Sequence, residues 1–501
     1  MEQGIDQLIE AVQAYAPQAD TAKIRRAFDF ANDAHQQQKR ASGEPYITHP
    51  LATAFHLAEM HLPDVMIIAG LLHDVPEDTS RTLEELETHF GKEVASLVAG
   101  ITKLSHIKYR GVERYVENLR KMFMAMAEDV RVIIIKFADR LNNLETLDAL
   151  PPKKQYRIAL ESLEIYAPIA NRLGMGEMKG HLEDAAFKYV YPKEYEWTKT
   201  LAQATARNQD AYLERIMQHA REDLRKADVP FIEVHGRAKH LYSLYRKLLK
   251  NERNIARIYD IIAIRIILAN VSDCYAALGV IHGRWTPLKG RIKDYIAQPK
   301  PNGYRSLHTT VFCDDGEIVE FQIRTQEMHE MAEFGIAAHW SYDEHKVRQH
   351  TPSDENTERI DWMNQLADLQ KEIADNRKYM KAMEDVKIDI FKDRIFVFTP
   401  QGDVIDLPED STPVDFAYAI HTDIGNTCTG AKVNDEVAQL QRTLKSGDIV
   451  EIILDKNRKG PSPDWIKFAK TRHAKTKIRQ FARAGIAKWI RDVIPKKLLK
   501  K

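Results

Sequence analysis

Cysteine is scarce in this chain: Cys274, Cys313 and Cys428 are the three in 501 residues, and no two stand close together. That spacing excludes a C-x-x-C pair, a disulfide framework and a cysteine-built zinc site, and it points to a reducing, cytoplasmic setting. Long apolar runs are missing too. No stretch reaches the roughly 18 residues that a membrane-spanning helix needs, so a soluble chain with no membrane contact is expected. The opening MEQGIDQLIEAVQAY is acidic and amphipathic, without the basic start and apolar middle of a signal peptide. Internal repeats and low-complexity segments are absent as well. Formal net charge is zero, with 73 Lys plus Arg against 73 Asp plus Glu. That average conceals a basic end, where thirteen Lys or Arg and one acid, Asp492, lie between Ile466 and Lys501.

What the chain does have is length and changing texture. At roughly 100–200 residues per domain it predicts three or four domains. Apolar residues recur at three- and four-residue spacing in Lys23–His35, Leu51–His61, Val65–Leu72, Val112–Ala127 and Tyr156–Leu173, the period of buried helix faces. An all-α domain is therefore expected over 1–183, followed by a charged helical bridge over 184–229. Short β-branched runs then mix with helical ones (Ile232–Val234, Lys239–Lys250, Ile261–Leu268, Val311–Cys313, Ile318–Ile323), predicting an α/β domain over 230–345. Residues 346–385 read as a polar helical linker. Short strands around one helix, Pro413–Ile420, predict a small β-grasp module over 388–453. A basic helical tail over 454–501 completes the plan.

The first chemical constellation is His49 in YITHP, His73-Asp74 in LLHDVPEDT and Asp139 in KFADRLNNLET. Imidazole with carboxylate suits Mn or another divalent cation of intermediate hardness. An adjacent His-Asp pair can offer two ligands from one helix end, and His49 and Asp139 would arrive from other helices. Four ligands leave positions open for water and substrate. Glu77 and Asp78 follow about one turn later and could orient and deprotonate the attacking water. Against this stands a plainer possibility: His-Asp dipeptides are common, and carboxylates at such spacing usually form a solvated face.

These segments resemble the HD phosphohydrolase domain of the RelA/SpoT (Rel) family, in RASGEPYITHP, HDVPEDT, ITKLS and ADRLNNLETL. The resemblance implies that His49, His73, Asp74 and Asp139 bind Mn, that Glu77 and Asp78 carry hydrolysis, and that Arg40 and Asn143 contact the nucleotide. The implied reaction removes pyrophosphate from the 3′ position of ppGpp or pppGpp. Two positions depart from the family pattern. Ala41 replaces a residue that is basic in some members, which puts one base or phosphate contact in doubt. Pro76 replaces the more usual Val, lacks an amide donor, and could end the helix near Asp74.

The second constellation is a phosphate cradle. Arg237, Lys239, His240, Ser243 and Lys247 gather around one short helix, and Lys293, Lys300, Asn302 and His308 come from a Pro-Gly-containing loop. Such a cluster can equally bind RNA phosphate without catalysis, or be a solvated face. Asp260 and Glu320, each inside a strand-like run, add two acids that could hold Mg against bound phosphates, although a lone acid on a strand usually has a structural partner. GRAKHLYSLYRKL, YDIIAIRI, RIKDYIAQPKPNGYRSLHTTV and VEFQIRT look like the synthetase domain of the same family, a nucleotidyltransferase-like fold. By that resemblance Asp260 and Glu320 hold Mg, Glu320 is the general base, Tyr304 stacks on the guanine of GDP or GTP, and Arg237 with its neighbours grips ATP. The product would be ppGpp or pppGpp, with AMP leaving. The basic Arg291-Ile292-Lys293-Asp294 motif agrees with an intact hydrolase and leans towards GDP. His329 and His339 are expected to order this site or touch nucleotide.

The third module resembles a TGS domain in DRIFVFTPQGDVIDLPEDSTPVDFAYAIHTDIGN. The resemblance implies contact with the ribosome and with uncharged tRNA, and His421 matches the contacting residue. A histidine after an apolar helix is also a common structural hydrogen-bonder. Trp465, Phe468, Phe481 and Trp489 interleave with the basic tail, a pattern that suits RNA contact and a solvated amphipathic helix about equally. Three functions remain open on sequence: a bifunctional synthetase-hydrolase, a hydrolase regulated by an inert nucleotide-binding fold, and a ribosome or tRNA binder on two decayed domains.

Overall fold

The computed structural model describes residues 2–105, 122–340 and 394–481, with short interruptions at 123, 127, 256–257, 259–261, 301, 339, 402–403, 446, 456–457, 459 and 472. Asp260, His339, the 346–385 linker, Trp489 and most of Val112–Ala127 lie outside the described residues. The chain divides into two compact units, Met1–Lys371 and Glu372–Lys501.

The first unit opens with helices. Thr21–Ala34 begins where the Asp20 carboxylate accepts the Lys23 amide at 2.9 Å, and it buries Ile24, Ala27, Phe28 and Ala31 along one face. Asp64–Leu72 buries every residue from Met66 onward; a helix apolar all round belongs in the centre of a domain. It stops where Pro76 has no amide for the Leu72 carbonyl. His73 and Asp74 keep helical dihedrals but form a turn, and the chain restarts as the single turn Val75–Asp78. The expectation that Pro76 ends the helix near Asp74 matches this geometry. Arg131–Glu145 lies against Thr48–Glu59 and buries ten of its residues. Between Pro152–Glu161 and Ala167–Arg172, residues Ser162–Tyr166 form a π-helical turn. That turn places Tyr166 under the Arg140 guanidinium, 4.2 Å from its ring centre, with the phenol accepting an Arg140 hydrogen bond at 2.8 Å. Gly176–Val190 and the 35-residue helix Pro192–Lys226 lead into the sheet.

The sheet has strands β1 (Phe231–Ala238), β2 (Ile262–Leu268), β3 (Thr286–Pro287), β4 (Lys293–Asp294), β5 (Leu307–Phe312) and β6 (Ile318–Thr325). Their order is β1-β2-β6-β5-β3, with β4 also on β5; β2 and β6 run parallel and the other neighbours antiparallel. β5 starts at Leu307, well before the apolar Val311 that marked it in sequence, because its alternate residues His308 and Thr310 are polar. One face is covered by Val271–Arg284 and the second half of Pro192–Lys226. There Leu213, Ile216 and Ala220 pack with Ile264, Ile266, Ile281, Phe321 and Ile323, and Trp285 stacks on Phe321 at 5.5 Å.

The second unit pairs β7 (Arg394–Phe398) with β8 (Val404–Pro408) and builds a three-stranded sheet from β9 (Cys428–Val433), β10 (Glu436–Ala438) and β11 (Val450–Leu454). Helices Pro413–Ile420 and Thr422–Thr427 lie between them. The fold does not stop at 453. Trp465 is buried with Val414, Tyr418, Ala469, Ala474 and Ile478, and Phe468 packs against the same cluster. Trp465 is therefore a core residue, and Phe468 is a partly buried one packed against that core. The reason is a polar anchor: buried Asp415 accepts the Lys470 and Thr471 amides at 2.8 and 2.7 Å, which pins the following segment on the module.

Candidate active sites

The first site lies where three helices meet. His49 is at the start of Thr48–Glu59, His73 and Asp74 follow Asp64–Leu72, and Asp139 is inside Arg131–Glu145. His49 Nε2 stands 3.1 Å from Asp139 Oδ1 and 3.4 Å from Asp74 Oδ2, while His73 Nε2 stands 3.1 Å from Asp74 Oδ1 and 3.8 Å from Asp139 Oδ1. One ligand atom each of His49, His73 and Asp74 lies within 4.8 Å of the others. Both imidazoles are aimed by their far nitrogens, His49 Nδ1 on Asn142 Oδ1 at 2.6 Å and His73 Nδ1 on the Gly70 carbonyl at 2.8 Å. The Gly70 bond requires a proton on Nδ1, so in the neutral ring the lone pair is at Nε2. That atom is fully buried and has no hydrogen-bond partner. An orphaned buried acceptor among two carboxylates and a second imidazole fits a divalent cation.

The electrostatics agree. Burial opposes a proton on His49, yet Asp139 and Asp74 raise its pKa to about 9. The same two carboxylates are held well below their usual range against their burial, Asp74 chiefly by His73 and Asp139 chiefly by Lys136. This spot therefore favours positive charge, whether carried by a proton or by a metal ion. Lys136 Nζ is 2.7 Å from Asp139 Oδ2, and Asn143 donates to Asp139 Oδ1. Arg40 donates to Asn143 Oδ1 at 3.2 Å and to the Thr146 hydroxyl at 2.9 Å. It lines a cavity of about 220 Å³ with Lys39, Tyr46, Asn143, Leu150 and Ile158. Ala41 lies on the same wall. Glu77 is half-buried and Asp78 exposed, both on the single turn after the ligands.

The second site lies across one end of the sheet. Glu320 on β6 faces Ala263 of β2 on one side and Thr310 of β5 on the other. His308 Nδ1 stands 3.2 Å from Glu320 Oε1, and Tyr304 Oη lies 2.7 Å from His308 Nε2. Gln322 donates to Glu320 Oε1 at 3.0 Å. Lys300 Nζ hovers 4.6 and 4.8 Å from the rings of Tyr295 and Tyr304, and Lys293 pairs with His308 across β4 and β5. Burial, then the charge of Lys293 and more distantly of Lys247 and Lys179, lowers Lys300 to about 8. Asn302 Oδ1 accepts the Tyr304 amide at 3.3 Å. Asp294 is tied to Tyr275 and to the Ile296 and Ala297 amides, so it braces its own turn.

Arg237, His240 and Ser243 meet acids from Gly176–Val190. Arg237 is 3.8 Å from Glu177, His240 Nδ1 is 2.9 Å from Asp184, and the Ser243 hydroxyl is 3.4 Å from Glu183. Lys239 lies between Arg237 and His240 in sequence, and Lys247 is on the helix Leu241–Lys250. Behind them, buried Arg265 and Arg324 share Glu333 at 2.9 and 3.1 Å. His329 Nδ1 lies 2.6 Å from Arg324, and burial followed by the two arginines lowers it to about 3. It orders this cluster. Asp260 lies outside the described residues. His421 is largely exposed, and its Nδ1 caps the next helix by accepting the Asp423 amide at 3.2 Å.

Sequence reasoning missed the residues that support both sites: Lys136, Asn142, Tyr46 and Thr146 at the first, and Gln322, Arg265, Arg324 and the three acids of Gly176–Val190 at the second. A usable signal existed at the first site. Lys136 and Asn142 stand three residues either side of Asp139, the spacing at which helical side chains are neighbours.

Comparison with known proteins fits this geometry. Residues 27–176 match the HD domain, 236–347 match the region found in RelA / SpoT proteins, and 395–454 match the TGS domain. The guanosine-3′,5′-bis(diphosphate) 3′-pyrophosphohydrolase of Aquifex aeolicus is 45% identical over 481 residues, covering 96% of this chain and 67% of that protein. The chain belongs to the RelA/SpoT family. Another member, the bifunctional (p)ppGpp synthase/hydrolase SpoT of Escherichia coli K12, is 45% identical over 476 residues, covering 95% of this chain and 67% of its own. The GTP pyrophosphokinase of Streptomyces coelicolor is 46% identical over 491 residues, with 95% and 57% covered. The chain thus spans between 57% and 67% of the length of these RelA/SpoT relatives. Among the described residues no helix is long and apolar enough to cross a membrane.

Proposed function

We propose that this chain both makes and degrades (p)ppGpp. The observation that carries the proposal is the convergence of His49, His73, Asp74 and Asp139 on one buried point, beside a cavity lined by Arg40 and Asn143. The four side chains would hold Mn, which supplies Lewis acidity towards the phosphate and the attacking water. Arg40 and Asn143 bind the nucleotide, and Glu77 and Asp78 accept the proton of the water that attacks the 3′-pyrophosphate. GDP or GTP and free pyrophosphate result.

In the second site Glu320, oriented by His308 and Gln322, takes the proton from the ribose 3′-hydroxyl of GDP or GTP stacked on Tyr304. Glu320 and Asp260 would hold Mg, which would supply charge neutralisation towards the phosphates of ATP. Arg237, Lys239, His240, Ser243, Lys247, Lys293 and Lys300 neutralise those phosphates, and Asn302 holds the loop that carries Tyr304. The pyrophosphoryl group of ATP moves to the 3′-oxygen and AMP leaves. The basic turn around Lys293 supports GDP as the preferred acceptor. We further assign His421, exposed on the TGS module, to contact with uncharged tRNA on the ribosome.

Incubation with ATP, GDP and Mg, and separately with ppGpp and Mn, tests the reading. ppGpp should form in the first reaction and pyrophosphate in the second. Absence of ppGpp synthesis in the first would leave a hydrolase alone, and silence in both would remove the enzyme reading.

A further inference from the structure

Tyr46 is a tightly framed polar side chain beside the first site that no step above employs. It precedes His49 by one turn, and its hydroxyl stands 2.9 Å from Asp74 Oδ2 and 2.7 Å from Asp78 Oδ2. The ring lies flat on His35, with centroids 4.4 Å apart and planes 16° from parallel, and Arg40 stands 5.9 Å from its centre. His35 is itself buried and holds Gln38 at 2.8 Å, while the Gln38 amide donates to the Asp78 carbonyl at 2.6 Å. One short frame, His35–Gln38–Tyr46, therefore grips Asp78 by both its backbone and its side chain.

Asp78 needs such a grip. It belongs to a single helical turn, its side chain is exposed, and Pro76 breaks the helix that would otherwise fix that turn to the ligand-bearing segment. A carboxylate on an exposed turn samples several rotamers, and a general base is effective only in the one that reaches its proton. We infer that Tyr46 is a positioning residue for hydrolysis: its hydroxyl ties Asp78 to the cation ligand Asp74 and so holds the base against the attacking water. This rests on the hydrolase reading proposed above. It also explains how a chain with Pro beside its ligands keeps its acid in place, since the tether runs through space and not along the helix.

The test uses the full chain with ppGpp and Mn. Tyr46→Phe keeps the ring on His35, so melting should match wild type. The expected result is a loss of roughly 10- to 100-fold in kcat, the range for supporting residues of metal sites, with KM and Mn affinity within about twofold. On an Asp78→Asn background Tyr46→Phe should add nothing, because the tether then has nothing to hold. A Tyr46→Phe enzyme with wild-type kcat overturns the inference. So does a loss confined to Mn affinity, or one that multiplies with Asp78→Asn. A wild-type chain that releases no pyrophosphate removes the hydrolase reading itself, and this inference with it.

Discussion

The two sites of the first unit are near opposites in charge. At the hydrolase site each ligand is prearranged by a partner of its own: Asn142 for His49, the Gly70 carbonyl for His73, Lys136 for Asp139 and Tyr46 for Asp74. Among the described residues, the ligand atom His73 Nε2 is buried without a hydrogen-bond partner. At the synthetase site cations crowd one another, lowering Lys300, Arg265 and His329 beyond what burial alone would do. Among the described residues there, the donors Nε and Nη1 of Arg324 are buried without a partner. One site is short of a cation and the other of an anion, which is what a metal-dependent hydrolase and a triphosphate-binding transferase respectively require.

The sharpest way to break that contrast is to remove one ligand. Asp74→Ala should abolish Mn-dependent ppGpp hydrolysis while ATP-dependent synthesis continues, both followed by nucleotide chromatography. Persistent hydrolysis would refute the ligand set. Next in size, Glu320→Gln should lower synthesis by about 10²–10⁴-fold, the usual worth of a general base, and leave hydrolysis intact. Retained synthesis would show that the acid on β6 only braces His308.

Which features were legible in sequence follows from the same contrast. His49, His73, Asp74 and Asp139 could be read as a set because four separated segments carrying them fall in order inside one helical domain, and the fold brings their side chains together. The bases of the cradle could be read because Arg237, Lys239, His240 and Lys247 crowd one short stretch of sequence, although the fold divides them between β1, the connection after it and the helix Leu241–Lys250. Supporting residues could not. Glu183 and Asp184 look like solvated charges until the Leu241–Lys250 helix is seen to begin on them, with the Tyr242 amide on Asp184 at 2.9 Å. Arg265 and Arg324 sit in apolar strand runs, where periodicity reports a buried face but not what neutralises an arginine placed in it. Trp465 was ambiguous for a similar reason: a basic aromatic segment looks the same whether its rings face RNA or a core. The anchor that decides it, Asp415, is fifty residues away in sequence and near only in the fold.

Lys136 offers a finer test of the hydrolase half. Burial disfavours its charge, and Asp139 more than restores it. Lys136→Met should weaken Mn binding by roughly 10- to 100-fold, read directly by titration with Mn, with synthesis unaffected. An unchanged Mn affinity would mean that Asp139 is aimed by Asn143 alone.

Lys300 gives the smallest effect and probes the other half. With its pKa lowered to about 8 by burial and neighbouring lysines, it is an ammonium below that pH and neutral above it. Nucleotide phosphates favour the ammonium, so binding above pH 8 must take up a proton. The kcat/KM of synthesis should then fall with rising pH, by at most about tenfold per unit. The stability sign is opposite: between about 8 and the ordinary lysine value the unfolded chain binds more protons, so this group adds stability as pH rises. Lys300→Arg stays charged throughout, and should remove the break in kcat/KM while keeping activity below it. A variant with the same break would move the titration to another group, and the crowding of cations would then have no bearing on how the synthetase half holds its phosphates.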